Sequence, residues 1–521
     1  MKTARLSLTS ISKRAATTIV VTLVFCGVTG ATDKARNAAA TSLASFAEHQ
    51  NWAALKTALQ KNNVDTNSTQ ADGMTALLWA VYYDQAELVD LLLQQKADAN
   101  LANDYGVTPL SVAARNGNSQ ITKALLAANA DANASSNGKE TVLMTASRTG
   151  NSNVVQQLLA AGAAPNAKEQ NGQTALMWAA AEGHLDVVNT LLNADADNDV
   201  TLKSGFDAYF LAARAGHSDV VFAFLNHGRE INDAMSSERT GGKLPRKNMS
   251  ALMLALENAH FELVKQLLEA GADPNDTRSG FSPLHALSWV RKPNKGDNPN
   301  DDPPPQSVGP IGSLECAALL VAHGADVNLQ LKSGRGGRGA LNQKAATPFL
   351  LAADTADVPF MQQLLKLGAD PNIPNIDHCP ALLAAAGIGS KAPEEEAGSE
   401  PELLKAVQLL LDLGADINHR DDNGETAMHG AAYKNVPKVV ELLDQAGADP
   451  SIWNQKNEYG WTPLRISRGF RPGNFKPDAA TEAAIIAVLR RHKIDVPDTP
   501  PNPTNNDAYS KKKKTPSKKK K

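Results

Sequence analysis

Cysteine is nearly absent, at three residues in 521. That excludes a disulfide scaffold, which needs several paired thiols at short spacings. Excess positive charge is missing as well. Four basic residues fall in the first 31 positions and eight lysines in the last twelve, with no acid in either stretch, so residues 32–509 keep 40 basic groups against 55 acidic ones. A body with a net charge of −15 has the wrong sign for gripping phosphates, which excludes a nucleic-acid-binding body. Beyond residue 31 no long apolar run occurs, so the mature chain is expected to be soluble. Catalytic signatures are missing too: there is no Gly-x-Ser-x-Gly, no P-loop, no strand-borne Gly-x-Gly-x-x-Gly and no His-Glu-x-x-His. Apolar residues, at 42%, suffice for a packed core and exclude a wholly disordered chain. A length of 521 residues excludes one small domain.

Residues 1–31 read as an export signal. Lys2, Arg5, Lys13 and Arg14 precede an uncharged, mostly apolar run from Ala15 to Ala31, and small residues close it before Thr32-Asp33. A charged region, a short apolar region and a small-residue site make up a secretory signal peptide, with cleavage expected after Ala31. Phe25 stands where a lipidated Cys26 would want a small residue, which disfavours a lipoprotein. The run is short and diluted by threonine for a stable span, and an uncleaved membrane anchor remains the alternative. The expected location is periplasmic or extracellular.

Self-similarity organises the rest. Thr75-Ala-Leu-Leu-Trp-Ala returns as Thr108-Pro-Leu-Ser-Val-Ala-Ala, Thr141-Val-Leu-Met-Thr-Ala, Thr174-Ala-Leu-Met-Trp-Ala-Ala and Asp207-Ala-Tyr-Phe-Leu-Ala-Ala, each 33 residues after the last. Six later starts, Ser250, Ser282, Thr347, Cys379, Thr426 and Thr462, follow at steps of 43, 32, 65, 32, 47 and 36. A closing phrase recurs as Gly162-Ala-Ala-Pro-Asn166, Gly271-Ala-Asp-Pro-Asn275, Gly324-Ala-Asp-Val-Asn328, Gly368-Ala-Asp-Pro-Asn372 and Gly414-Ala-Asp-Ile-Asn418. Before these phrases apolar residues fall at helical spacing, as in Leu88-Val89-Asp90-Leu91-Leu92-Leu93. The threonine suits an N-cap, Pro109, Pro283, Pro348 and Pro463 suit a first turn, and the glycine suits a left-handed end residue. One such helix pair cannot bury its apolar face alone, but a stack can. The chain therefore divides into a cap and degenerate unit (32–67) and regular units (68–232). Next come units with insertions at 233–249, 291–312, 330–345 and 388–402 and a C-terminal cap (233–492), then a linker and lysine tail expected to be disordered (493–521).

These phrases resemble the ankyrin repeat family. Its T-P-L-H-x-A-A stands here as Ser282-Pro283-Leu284-His285-Ala286 and Thr426-Ala427-Met428-His429-Gly430-Ala431-Ala432, and its G-A-D-x-N as the closing phrases, over about residues 43–492. The resemblance implies an all-α solenoid of helix–turn–helix units with β-hairpin-like loops, about eleven units plus the degenerate first one. It makes His285 and His429 structural and places His184, His217 and His260 at the family's Gly-His position. It also implies that the two residues after each Ala-Ala pair face a concave groove and contact partners. Carried over, these are Tyr82 and Tyr83, Arg115 and Asn116, Arg148 and Thr149, Ala181 and Glu182, Arg214, Glu257, Trp289, and Tyr433 with Lys434. Tyr, Trp and Arg dominate interface hot spots because they are large and amphipathic, which singles out Tyr82, Tyr83, Arg115, Arg148, Arg214, Trp289 and Tyr433. Trp79 and Trp178 come earlier in the helix pattern and are expected in the core.

Other chemistry is thin. The remaining histidines are scattered without His-x-x-x-His, so no metal and no cofactor are expected. Cys316 and Cys379 fall about two helix layers apart, beyond bridging reach, and are expected to be free, mostly buried thiols. Arg335 and Arg338, in a glycine-rich run, form a weak anion-binding candidate whose rival reading is a flexible linker. Asp301-Asp302 and Glu394-Glu395-Glu396 lack alternating ligand spacing and read as solvated loop charge. The tail lysines attract polyanions, such as an anionic envelope polymer or lipid, and no specific nucleic acid. The expectation is an exported, non-enzymatic scaffold that holds a protein partner in the groove. One rival is an envelope structural protein tethered to polyanions by its tail. Another is an enzyme sited in the 290–400 insertions around Arg291, Arg335, Arg338 and His378, for which no nucleophile–base set can be named.

Overall fold

The computed structural model of the chain describes residues 42–61, 64–236, 247–293, 305–307, 309–334, 341–393, 395–470 and 477–497. The expected export signal, Arg335 and Arg338, and the lysine tail lie outside the described residues. Among the described residues there are twenty-five helices and no strand, with two isolated bridges, Ser135 to Thr141 and Ala234 to Ser250. Twenty-four of the helices pair into twelve helix–turn–helix units. The first pair is Leu43–Glu48 with Trp52–Leu59, the second Ala76–Tyr82 with Ala86–Gln94, and the last Pro463–Ser467 with Ala479–Arg491. The chain is thus an all-α solenoid.

In nine of the twelve units the first helix starts where a side chain caps it. Thr75 Oγ1 accepts from the Leu78 N–H at 3.1 Å, Thr347 Oγ1 from Leu350 at 3.2 Å, and Asp207, standing in for threonine, from Phe210 at 3.0 Å. Just before the cap, one backbone bond closes a hairpin-like turn, as from Asn103 N to Val107 O at 3.0 Å and from Glu169 N to Gln173 O at 3.0 Å. First helices pack on first helices and second helices on second helices, giving two layers. Alanine makes the inner layer close: Ala80, Ala113, Ala146, Ala179 and Ala212 are wholly buried. Leu88, Val89 and Leu92 of a second helix fill the space between layers. Burying each such side chain contributes about 2 kcal/mol, so the core is a continuous seam along the stack.

Two ladders tie unit to unit. Asn100 Oδ1 accepts from Asp131 N–H at 2.7 Å while its Nδ2 donates to Asn129 O at 2.9 Å. Asn133, Asn166, Asn232, Asn275 and Asn328 repeat both bonds onto the next closing turn. At the start of the second helices His184 Nε2 donates to Arg148 O at 3.0 Å, His217 to Ala181 O at 3.1 Å and His260 to Arg214 O at 2.9 Å. His285 and His429 are fully buried against Ser282 and Thr426, and burial pulls both pKa values down to about 4, so both are neutral at physiological pH. All five histidines serve packing.

The insertion at 388–402 folds back on the stack. Glu396 accepts from the N–H groups of Lys391 at 3.0 Å and Ala392 at 3.2 Å and from the Ser390 hydroxyl. Lys434 Nζ donates to Ala397 O at 2.8 Å and lies 3.8 Å from Glu396. Lys292, at the start of the 291–312 insertion, reaches Glu402 at 2.8 Å.

Candidate binding face on the first helices

At the N-terminal end, side chains three and four apart on helix Ala76–Tyr82 come to lie together, as helical spacing requires. Trp79 stacks on Tyr83 at 5.9 Å between ring centroids and meets Tyr82 edge-on at 5.7 Å, while Trp52 of the first unit meets Tyr83 edge-on at 5.9 Å. Polar bonds hold the patch in place. Trp79 Nε1 donates to Gln70 Oε1 at 2.8 Å, Gln70 Nε2 donates to Glu48 at 2.7 Å, and the Tyr83 hydroxyl donates to Glu48 O at 3.3 Å. Tyr82 remains 49% exposed. The result is a preordered aromatic surface with a polar rim, the composition of an interface hot spot.

The other expected contacts divide. Arg115 is exposed. Arg148 is half-buried, lies over the Trp178 ring at 5.3 Å and pairs with Glu140 at 3.0 Å. Arg214 is half-buried over Phe206 at 5.5 Å, and Trp289 is half-buried with its ring edge-on to Phe281 at 5.1 Å. Tyr433 corrects the expectation. It is buried, and its hydroxyl donates to Glu425 at 2.8 Å. Lys434 is buried too, because the 388–402 insertion lies where a partner would have to sit. Trp79 and Trp178 correct it in the other direction: both are only half-buried and pack at the edge of the core. The period carried no clear signal for this, since four residues after the unit start Leu211 is half-buried but Val112 and Thr145 are buried. Trp52 was missed because it lies in the degenerate first unit, and Gln70 because it precedes the repeated phrase that begins at Thr75.

Of the rival enzyme residues, Arg291 and His378 are described, and each is engaged with a different partner. Arg291 makes a two-pronged ion pair with Asp357, at 2.9 and 3.0 Å, and stacks over Phe360. His378 Nδ1 lies 2.8 Å from Asp422 on an exposed turn. Cys316 and Cys379 are free and buried, and burial raises both thiols, Cys316 to about 12, which removes thiolate chemistry. Among the described residues no group of three or more His, Cys, Asp or Glu is placed to hold a metal, and no helix is long and apolar enough to cross a membrane.

Two carboxyls in the C-terminal units are strongly perturbed, which was invisible in the sequence. Asp354 is half-buried, and desolvation by the protein packed around its carboxyl lifts it to about 7 although Lys434 acts in the opposite sense. Burial and neighbouring Asp421 lift Glu425 to about 7 as well, against the bonds it accepts from Tyr433 and from Asn457 Nδ2 at 2.9 Å. These groups are enclosed by the protein itself, so their chemistry is structural.

Comparison with known proteins agrees with this architecture. A family profile described as ankyrin repeats in three copies matches residues 41–136, 110–202, 143–235, 210–291 and 397–468, together more than half the chain. The nuclear factor NF-kappa-B p105 subunit of Gallus gallus is 35% identical over 222 residues, which cover 39% of this chain and 21% of that one. Ankyrin repeat and SOCS box protein 6 of Homo sapiens is 26% identical over 175 residues, 32% of this chain and 37% of that protein. E3 ubiquitin-protein ligase KEG of Arabidopsis thaliana is 25% identical over 203 residues, 38% of this chain but a tenth of the ligase. The chain spans less than two fifths of the length of each of these relatives.

Proposed function

The chain belongs to the ankyrin repeat family, whose repeats generally mediate protein–protein interaction, and on that premise we propose that it is an exported, non-enzymatic scaffold that holds a protein partner on its first-helix face. The observation that carries the reading is the aromatic patch of Trp52, Trp79, Tyr82 and Tyr83, fixed by Gln70 and Glu48 yet left open at Tyr82. A rigid patch loses little ordering entropy on binding, so its apolar area translates efficiently into affinity. Arg115, Arg148 and Arg214 continue the face along the stack, and the 388–402 insertion closes it at Lys434, which confines the partner to the units before it. Export is supported by the basic residues and apolar run of 1–31.

Crosslinking in the native compartment, followed by mass spectrometry of the linked peptides, tests this. One protein should be captured by the wild type with links near residues 52–115, and a Tyr82→Ala/Tyr83→Ala variant should lose at least tenfold of that capture. Capture unchanged in the variant removes the patch from the function. The lysine tail supports a second reading, a tether to envelope polyanions. That reading requires deletion of 510–521 to release the protein from the cell surface.

A further inference from the structure

The asparagine ladder has one place where its asparagine turns away, and that place opens into a cleft. In six units an asparagine carboxamide spans the gap to the next closing turn, accepting from one backbone N–H and donating to one carbonyl two residues before it. Asn372 occupies the same position in Gly368-Ala-Asp-Pro-Asn372, yet its Nδ2 folds back onto Asp370 Oδ1 at 3.1 Å. Across the gap, Asp416 N–H and Gly414 C=O are the donor and acceptor that Asn372 would have met. Among the described residues neither has a hydrogen-bond partner. The second helices on either side, Val358–Lys366 and Glu400–Asp412, meet only sparsely, and the latter runs to thirteen residues against nine.

Beside this gap lies a cleft of about 150 Å³, bounded by the 371–380 turn, the first helix Ala381–Ala386 and the end of helix Glu400–Asp412. Leu382 and Leu410 are among its lining, with Pro371, Pro380 and Leu413 beside them and His419 at the polar edge. Leu413 is 43% exposed, although it is a large apolar residue with no solvent role of its own. An apolar hollow thus sits beside a backbone N–H and C=O that are spaced, by the rest of the ladder, for one primary carboxamide.

We propose that this cleft is a second binding site, taking from a protein partner an asparagine or glutamine side chain next to a leucine-sized apolar residue. The partner's carboxamide supplies the missing rung: its oxygen accepts from Asp416 N–H and its nitrogen donates to Gly414 C=O. The adjacent apolar side chain enters the hollow between Leu382, Leu410 and Leu413. A carboxylate of the same shape fits poorly, because it can accept from Asp416 but cannot donate to Gly414 and would meet the Asp416 charge. The neighbouring acids, Asp370 and Asp412, turn away an acidic segment for the same reason. The site is separate from the aromatic patch on the first-helix face, being built from closing turns, the end of helix Glu400–Asp412 and the buried Leu382 of helix Ala381–Ala386.

Panning displayed random heptapeptides on the full-length chain, with fluorescence anisotropy of the recovered sequences, tests the proposal. Recovered peptides should carry Asn or Gln beside Leu, Ile, Met or Phe. They should bind Leu413→Glu at least tenfold more weakly than wild type and bind Tyr82→Ala unchanged. Leu413 is half open to solvent, so Leu413→Glu is expected to fold, and its circular dichroism melt checks this. Replacing the peptide's Asn by Asp should cost about tenfold, the worth of one hydrogen bond. Asn372→Ala should bind no worse than wild type, since Asn372 contributes nothing to the receptor pair. The proposal is overturned if Asp peptides bind as well as Asn peptides, if Leu413→Glu binds normally, or if no recovered peptide carries a carboxamide. Peptides that instead lose binding to Tyr82→Ala report the first-helix face, so the two readings fail separately.

Discussion

Single residues decide how closely the units stack. A Cβ added to Gly183 would sit 2.5 Å from Nδ1 of His217, and the residue has φ +79°. Gly162 has φ +85° but open space where its Cβ would go. Gly183→Ala therefore strains the backbone and pushes His217 off the Ala181 carbonyl, a loss of about 2–3 kcal/mol. Gly162→Ala pays only the left-handed conformation, about 1 kcal/mol. Urea unfolding of the two variants compares them, and equal losses would show that the ring contact adds nothing. Both positions were legible in the sequence, Gly162 from its closing phrase and Gly183 from the Gly-His pair. The contact between Gly183 and the ring one unit later was not, because it joins residues 34 positions apart. Tyr82 and Arg115 were equally legible as exposed residues. Tyr433 and Lys434 were not, because their surroundings come from elements that carry no period.

Between elements, the buried carboxyl of Glu425 clasps helix Ala427–Lys434 to the turn that holds Asn457. Its pKa rises from an ordinary 4.5 to about 7, so the folded chain keeps a proton that the unfolded chain gives up within that window. Its contribution to stability is full below about pH 4.5 and is lost as pH climbs through about 7. Glu425→Gln keeps the accepting oxygen and removes the titration. Wild type and variant should melt alike near pH 4.5, and at pH 8 the variant should be more stable by on the order of 2–3 kcal/mol. His285 and His429 titrate in the opposite sense, stabilising above their ordinary 6.5 and ceasing to do so as pH falls towards about 4. That effect is common to both proteins and cancels in the difference. Parallel pH profiles for the two would exclude the clasp. Helix starts such as Thr75, Thr347 and Asp207 could be read from capping chemistry alone. The folded-back insertion could not, since Lys292 meets Glu402 across 110 residues and no local pattern encodes that contact.

Over the whole molecule the family and the two-layer stack follow from the repeat, while the departures from it follow from the insertions. The asparagine ladder runs along the edge formed by the closing turns; at Asp199 an ion pair to Arg229 replaces the rung, and between Asn372 and Asp416 the rung is missing. The same junction is tied elsewhere by Lys292, which bonds both Ala356 O and Glu402. A joint fastened on one side and free on the other is a hinge. Bending compliance should concentrate there, leaving two stiff arms on either side. Spin labels on exposed second-helix positions would measure it: Glu269 with Gln362 lies within one arm, and Gln362 with Glu441 spans the joint, each pair two units apart. The second pair should give the broader distance distribution, and equal widths would mean a uniform rod. A hinged rod sweeps its two ends through space together, so whatever the first arm grips is carried along an arc whose centre lies at residues 372–416.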